Sequence, residues 1–313
     1  MRVVALAGGI GAGKFLRGLV RAVPPTDVTV VVNTADDIVL HGLHVSPDLD
    51  SVVYWLGGGM DRERGWGRLD ESFRAVEELR RFGASGDWFS LGDLDLATHL
   101  FRTGLLSNGA TLSEATARVA ARFGLACRVL PMSDEPVTTR VEAVSMGRVR
   151  DLHFQEYWVE RHASDEVKAI RYEGAASSRP APGVLAAIAA ADVVVFPPSN
   201  PVASIGPILA VPGLHQVVAA RRQVAVGVSG IVGGAPLAGM ADKLLPVVGV
   251  EVSAAGVATM YRDLLSGWVI DDADADARER IEGMGYRVAV TDTLMTDDAA
   301  AERVARTALS LVP

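Results

Sequence analysis

Near the amino end, Gly8-Gly9-Ile10-Gly11-Ala12-Gly13-Lys14 has the makeup of a turn that lets backbone amides close on a phosphate. Glycines allow the close approach, and a helix starting at such a turn aims its amide dipoles at negative charge. The run matches G-x-x-x-x-G-K, yet Phe15 stands where a P-loop ATPase needs the Ser or Thr that holds magnesium. The dinucleotide fingerprint fails too: counted from Gly9, its third glycine position is Lys14. Phosphate binding by Gly8, Gly9, Gly11, Gly13 and Lys14, without either signature, is the reading that remains. The structural alternative is a tight turn for packing.

Two pairs of alternating acids follow. Asp48 and Asp50 sit in Ser46-Pro47-Asp48-Leu49-Asp50, and Asp93 and Asp95 precede Thr98, His99 and Arg102. If the backbone is extended, both members of a pair can face one ligand. Mg²⁺ favours carboxylates together with phosphate oxygens and water, which makes Asp48, Asp93 and Asp95 candidate metal ligands. Asp50 is the chosen acceptor of a proton, with Asp93 beside it as a second catalytic candidate. Asn33-Thr34-Ala35-Asp36-Asp37 ends a strand pattern, so Asn33 and Asp36 are equally suited to a ligand contact or to an Asx turn and helix cap. Ser199, Asn200, Ser204, Gly206 and Pro207 form a second polar turn after an apolar run, suited to a nucleotide. No G-x-S-x-G elbow is present, and six scattered histidines show no ligand spacing.

The elements needed to position these residues are legible as short apolar runs at Val3–Ala7, Val28–Val32, Val193–Phe196 and Val224–Val228. Such runs suit strands covered on both faces. Helical patterns lie between and after them at Phe15–Val23, Glu71–Phe82, Val184–Ala190 and Asp298–Leu311, and Thr111 with Glu114 forms a capping box. The expected fold is α/β: a Rossmann-like, doubly wound, mostly parallel sheet with an inserted mixed α/β cap. Residues 1–46 and 172–313 are assigned to the nucleotide-binding core and 47–171 to the cap that binds the acceptor. Gly174–Gly183 reads as the return linker.

Composition narrows the class. The formal net charge is -8, which argues against nucleic-acid binding. A lone cysteine, Cys127, excludes an intrachain disulfide and fits a cytoplasmic protein. The uncharged stretch Val224–Ala241 holds five glycines and a proline and is no membrane span.

Taken in order, GGIGAGK, NTADD, SPDLDSVVYWL, LGDLDLATH, LPMSDEPVTT, HFQEYWV, PSNPVASIGPILAVPG and ADKLLPVVGVEVS resemble the 2-phospho-lactate transferase family of coenzyme F420 biosynthesis, including its enolpyruvyl-transferring branch. The resemblance runs from Gly8 to about Ser253, with a looser match at Asp292–Asp298. It implies a homodimeric, Mg²⁺-dependent transferase whose partners are the deazaflavin Fo and a guanine-nucleotide-linked donor. By the same motifs, Gly8–Lys14 and Ser199–Pro207 would surround the nucleotide. Asn33, Asp36, Asp48, Asp50, Thr98, His99 and Arg102 would line the acceptor. Leu94, often basic in that motif, and Gly230, often proline, depart from the pattern. A competing expectation is a sugar-nucleotide-binding regulatory protein of the gluconeogenesis-factor branch, which shares the glycine turn but has no use for an acceptor pocket.

Overall fold

The computed structural model describes all residues, Met1–Pro313. Seven strands form one parallel sheet: β1 (Val3–Ala7), β2 (Val28–Val32), β5 (Arg128–Pro131), β9 (Val193–Phe196), β10 (Ala225–Val228), β13 (Gly267–Ile270) and β14 (Arg287–Val290). Their spatial order is β14-β13-β10-β9-β1-β2-β5. β1 is entirely buried, and its alternate side chains enter two apolar layers. Val3, Ala5 and Ala7 join Phe15, Leu16, Val52 and Val304 on one face, while Val4 and Leu6 join Phe196, Ile208 and Trp268 on the other. That two-faced burial is why the strands read as unbroken apolar runs.

The chain winds outward from β1 in both directions, through β2 to β5 and through β9 to β14. The strand order therefore reverses between β1 and β9, and the loops after these two strands open a crevice at the sheet's carboxyl edge. Helix α1 (Gly9–Ala22) follows β1 directly. It packs against α2 (Pro47–Leu56) and the C-terminal helix (Asp298–Ser310). Arg17 donates to the Asp298 carboxylate at 2.9 Å, locking the last helix to the first.

The expected insertion at 47–171 needs correction. β5 lies inside the central sheet, paired in parallel with β2, and α2 packs on α1 within the core. What stands apart from the sheet comes in two pieces. One holds the hairpin β3 (Ile38–Leu40) and β4 (Leu43–Val45), with α3 (Arg74–Arg81) and α4 (Asp93–Ser107). The other is an antiparallel sheet of β6 (Thr138–Ser145), β7 (Arg148–His153) and β8 (Glu166–Glu173). Between them α5 (Leu112–Arg122) starts at the expected capping box. Glu114 N donates to Thr111 Oγ1 at 3.2 Å, and Thr111 N donates to Glu114 at 2.9 Å. A small hairpin of β11 (Ile231–Val232) and β12 (Ala235–Pro236) follows β10.

Helix α3 begins three residues later than its pattern suggests, because Glu71 serves α4 instead. Its carboxylate accepts the Leu94 and Asp95 amides, while Asp93 accepts the Ala75 amide at 3.0 Å and the Ser72 hydroxyl. Each helix start is thus capped by an acid from the other segment. No helix is long and apolar enough to cross a membrane.

Candidate active site

The glycine turn and the second polar turn meet across the crevice. Gly8 N donates to Ser199 Oγ at 3.3 Å. A Cβ on Gly11 would stand 2.3 Å from the Pro198 carbonyl oxygen, and one on Gly8 would stand 2.4 Å from Asp48 Oδ2. These two glycines are required because other chain comes this close. Gly9, with φ of +74°, starts α1 in a conformation that side chains disfavour. Asn200 caps its own turn by accepting the Val202 and Ala203 amides at 2.9 and 3.0 Å. Ser204 lies against Gly8, and Gly206 gives way to the Tyr172 hydroxyl, which a Cβ would meet at 2.1 Å. Pro207 is buried behind them in the short helix after this turn.

Two members of the expected nucleotide set point elsewhere. Gly13 faces the Trp55 ring, 2.2 Å from where its Cβ would stand, so it serves helix packing. Lys14 lines a small cavity with Arg17, Trp55, Arg62 and Asp298, on the side of α1 that meets the C-terminal helix.

Both aspartate pairs are helical, contrary to the extended reading. In α2 and α4 a two-residue step turns the chain by about 200°, so the members of each pair face apart. Asp48 turns toward the glycine turn, whereas Asp50 turns toward α4. There Arg102, 1% exposed, donates to both Asp50 oxygens (one at 3.1 Å) and to the His44 carbonyl at 3.3 Å. Asp50 is thus held in a buried ion pair, which corrects its assignment as proton acceptor. Arg102, expected at the acceptor, is engaged in the same pair. Asp93, expected as a catalytic and metal residue, is placed as a helix cap, accepting from Ser72 and the Ala75 amide. Asp95 turns inward beneath α2, and burial pushes its carboxyl up to about 7. Its Oδ1 and the Tyr54 hydroxyl lie buried without partners. Thr98 donates back to the Leu94 carbonyl at 3.4 Å. His99 Nδ1 lies 3.3 Å from Arg102; a guanidinium can only donate, so this nitrogen accepts and the ring proton sits on Nε2. Burial lowers His99 to about 4, which keeps the ring neutral.

Asp36 is the partner that Asp48 does have. Both are buried, at 4% and 6% exposure, and Asn33 bridges toward them, donating to Asp48 Oδ2 at 2.9 Å. Burial and the neighbouring Asp48 charge raise Asp36 well above the ordinary carboxylate range, and Asp36 Oδ1 has no partner. Burial likewise pushes Asp48 up to about 6, against the opposing hydrogen bond from Asn33. Asp37 supports the pair from behind, accepting from Ser46 at 2.7 Å and contacting His44 Nε2 at 2.8 Å. The sequence held the signal for this geometry: Ser46-Pro47 followed by acids is a helix start, with proline at its first position.

A glycine turn at a helix start, a facing polar turn across a strand-order reversal, and a buried carboxylate pair between them define an α/β protein built to handle a phosphorylated ligand. Residues 3–308 match the family described as 2-phospho-L-lactate transferase CofD. The chain is 53% identical over 312 residues to a phosphoenolpyruvate transferase of Streptomyces griseus, covering 99% of this chain and 98% of that one. It is 38% identical to a 2-phospho-L-lactate transferase of Methanosarcina acetivorans, with 99% and 98% covered. Among solved structures, a UPF0052-family protein of Bacillus halodurans shares the fold at a TM-score of 0.63 and 16% identity, covering 97% of this chain and 98% of that one. The chain belongs to the 2-phospho-L-lactate transferase CofD family and is a transferase of phosphate-containing groups.

Proposed function

We propose that this chain acts in coenzyme F420 biosynthesis, moving a phospho-enolpyruvyl or phospho-lactyl group from a guanosine diphospho donor to the ribityl hydroxyl of Fo. The hydroxyl oxygen attacks the phosphorus carrying the acid, the bond from that phosphorus to the bridging oxygen breaks, and GMP leaves with the electron pair. The observation that carries this reading is the buried Asp36–Asp48 pair beside Gly8 and Gly9. Two buried carboxylates, of which Asp36 is raised by burial and by the neighbouring Asp48 charge and has an unpartnered oxygen, suit a divalent cation shared with a diphosphate. Asp36 and Asp48 would hold Mg²⁺; of the expected metal set this reading keeps Asp48 and leaves out Asp93, which caps a helix start, and Asp95, which is buried beside Tyr54. When bound, the ion would offset the charge that builds on the phosphate oxygens.

The remaining work belongs to the chain. The α1 amides and the turn Ser199–Pro207 hold the donor's phosphates, and the same carboxylate pair takes the hydroxyl proton. Little covalent help is needed, since such transfers depend mostly on in-line placement and charge compensation. The test is to supply Fo, Mg²⁺ and each guanine donor and to measure GMP by chromatography. GMP formed in step with Fo consumption supports the reading. Absence of GMP with both donors overturns it, and tight binding of a UDP-sugar without Fo affinity would assign the regulatory branch instead.

A further inference from the structure

The outer side of α1 carries a second set of hydrogen-bond donors, which the crevice does not use. Phe15, Leu16 and Leu19 turn α1 toward the sheet, so Lys14 and Arg17, one turn apart, project from the opposite side. There, between α2 and the C-terminal helix, they line a cavity of about 70 Å³ with Trp55, Arg62 and the first turn of the C-terminal helix. Three cations, Lys14, Arg17 and Arg62, face two carboxylates, Asp297 and Asp298. That leaves a surplus of one positive charge on a chain whose net charge is -8.

Both carboxylates are already engaged. Asp298 accepts from Arg17 on its two oxygens, at 2.9 and 2.5 Å, and lies 3.4 Å from Arg62. Asp297 caps the C-terminal helix by accepting the Ala300 amide at 2.8 Å. Donors are left over. Lys14 pairs with neither acid, since Arg17 and Arg62 take Asp298. The cap serves Ala300, so the Asp298 and Ala299 amides open a 13-residue helix without a side-chain acceptor. Trp55 is only 4% exposed, and its indole Nε1 has no partner. A buried N–H without an acceptor is costly, and this one belongs to the cavity wall.

We propose that this cavity binds a phosphate-sized oxyanion, held by Lys14, Arg62, the Trp55 indole N–H and the amides that open the C-terminal helix. It is a separate site from the donor crevice. Gly8 and Gly11 meet Asp48, Ser204 and Pro198, and none of these lines the cavity. Size sets the ligand class: the volume is far below the ~300 Å³ of a pocket that encloses a drug-sized molecule, so a base and ribose do not fit. Chemistry sets its sign. The unengaged groups are donors, which suit a tetrahedral anion rich in acceptors, and no free carboxylate is left for a cation. The bound anion ties α1, the end of α2 and the C-terminal helix together on the side away from the sheet. This holds whatever reaction the crevice performs.

Isothermal titration of the metal-free full chain with inorganic phosphate, at constant ionic strength, tests this. The wild type should bind phosphate saturably, sulfate should compete, and chloride should not. Lys14→Met and Trp55→Phe should each weaken binding by roughly tenfold or more, the contribution of one hydrogen bond to a charged group. Trp55→Phe keeps an aromatic ring against Gly13 and deletes the N–H, so its circular dichroism without phosphate should match the wild type. Saturating GMP should leave phosphate binding unchanged, because its base and ribose do not fit the cavity. A wild type that does not bind phosphate, or a phosphate affinity retained in either variant, would overturn the proposal. Displacement of phosphate by GMP would overturn it too, and would return Lys14 to the nucleotide.

Discussion

Replacing Asp48 with asparagine separates what this carboxylate does for the reaction from what it costs the fold. The side chain is 6% exposed, and its carboxyl is pushed from 3.8 up to about 6. The folded protein therefore holds a proton there more tightly than the unfolded chain does. Below pH 3.8 both states are protonated and the site is neutral in its effect on stability. As pH rises through the window from 3.8 to about 6, folding is progressively opposed, and above that window the penalty is constant. At 1.36 kcal/mol for each pKa unit, the penalty is at most about 3 kcal/mol at neutral pH. Asp48→Asn removes it and keeps an oxygen to accept from Asn33. The metal-free variant should thus gain up to about 3 kcal/mol at pH 7.5, or roughly 5 °C in unfolding temperature for a chain this long. The gain should vanish as pH falls toward 4. Turnover should meanwhile drop by roughly 10²–10⁴-fold, and the stabilisation that Mg²⁺ gives the wild type should disappear. Thermal unfolding with and without Mg²⁺, alongside GMP release, reads all three. A variant that is less stable at pH 7.5 would refute the buried-charge argument, and one that keeps its turnover would refute the cation role.

Other perturbations bear on neighbouring claims. Arg102→Met strands Asp50 in the α2–α4 interface and should cost about 3–5 kcal/mol in urea unfolding, while adding Asp50→Leu should restore most of it; a single variant as stable as wild type removes the clamp. Gly11→Ala drives a Cβ to 2.3 Å from the Pro198 carbonyl, so the two turns must part. The KM for the donor should then rise at least tenfold with kcat less affected, and an unchanged KM would dissociate the turns from the donor. Lys14→Ala should leave donor affinity unchanged in calorimetry, because the side chain lines the cavity between α1 and the C-terminal helix; a weakened affinity would return it to the phosphate site.

The core was legible because its physics is local. Four apolar runs became β1, β2, β9 and β10, and the capping box at Thr111 formed as the residue types require. The edge strand β5 was not, since Arg128-Val129-Leu130-Pro131 is too short to stand out from its surroundings. The antiparallel sheet was passed over for a different reason. Thr138–Ser145 alternates buried and half-buried residues with a strict period of two, but its outward positions carry Thr138, Arg140, Glu142 and Val144, a mixed face that does not mark a strand as an unbroken apolar run does. Of the candidate site, the two turns come together as their positions after β1 and β9 suggested, and Asp48 joins them from the start of α2. The alternating acids did not, because spacing alone leaves the backbone open: two residues apart means the same face on a strand and opposite faces on a helix.

That division of the acids also bears on how an acidic protein can receive a diphosphate. Arg102 is the only Arg or Lys among the buried residues, and its guanidinium is engaged by Asp50. Lys14 faces the cavity beside Arg17. If a diphosphate binds as proposed, compensation in the crevice would rest on the amides at the start of α1 and on any cation the Asp36–Asp48 pair would hold. The buried pair at Asp50 keeps its own charge balanced and holds the first turn of α2, through His44 and α4, in the orientation that presents Asp48 to Gly8. One helix turn thus carries two acids of the same type to opposite sides: Asp50 fixes the helix through Arg102, and Asp48 is left ionisable beside the glycine turn.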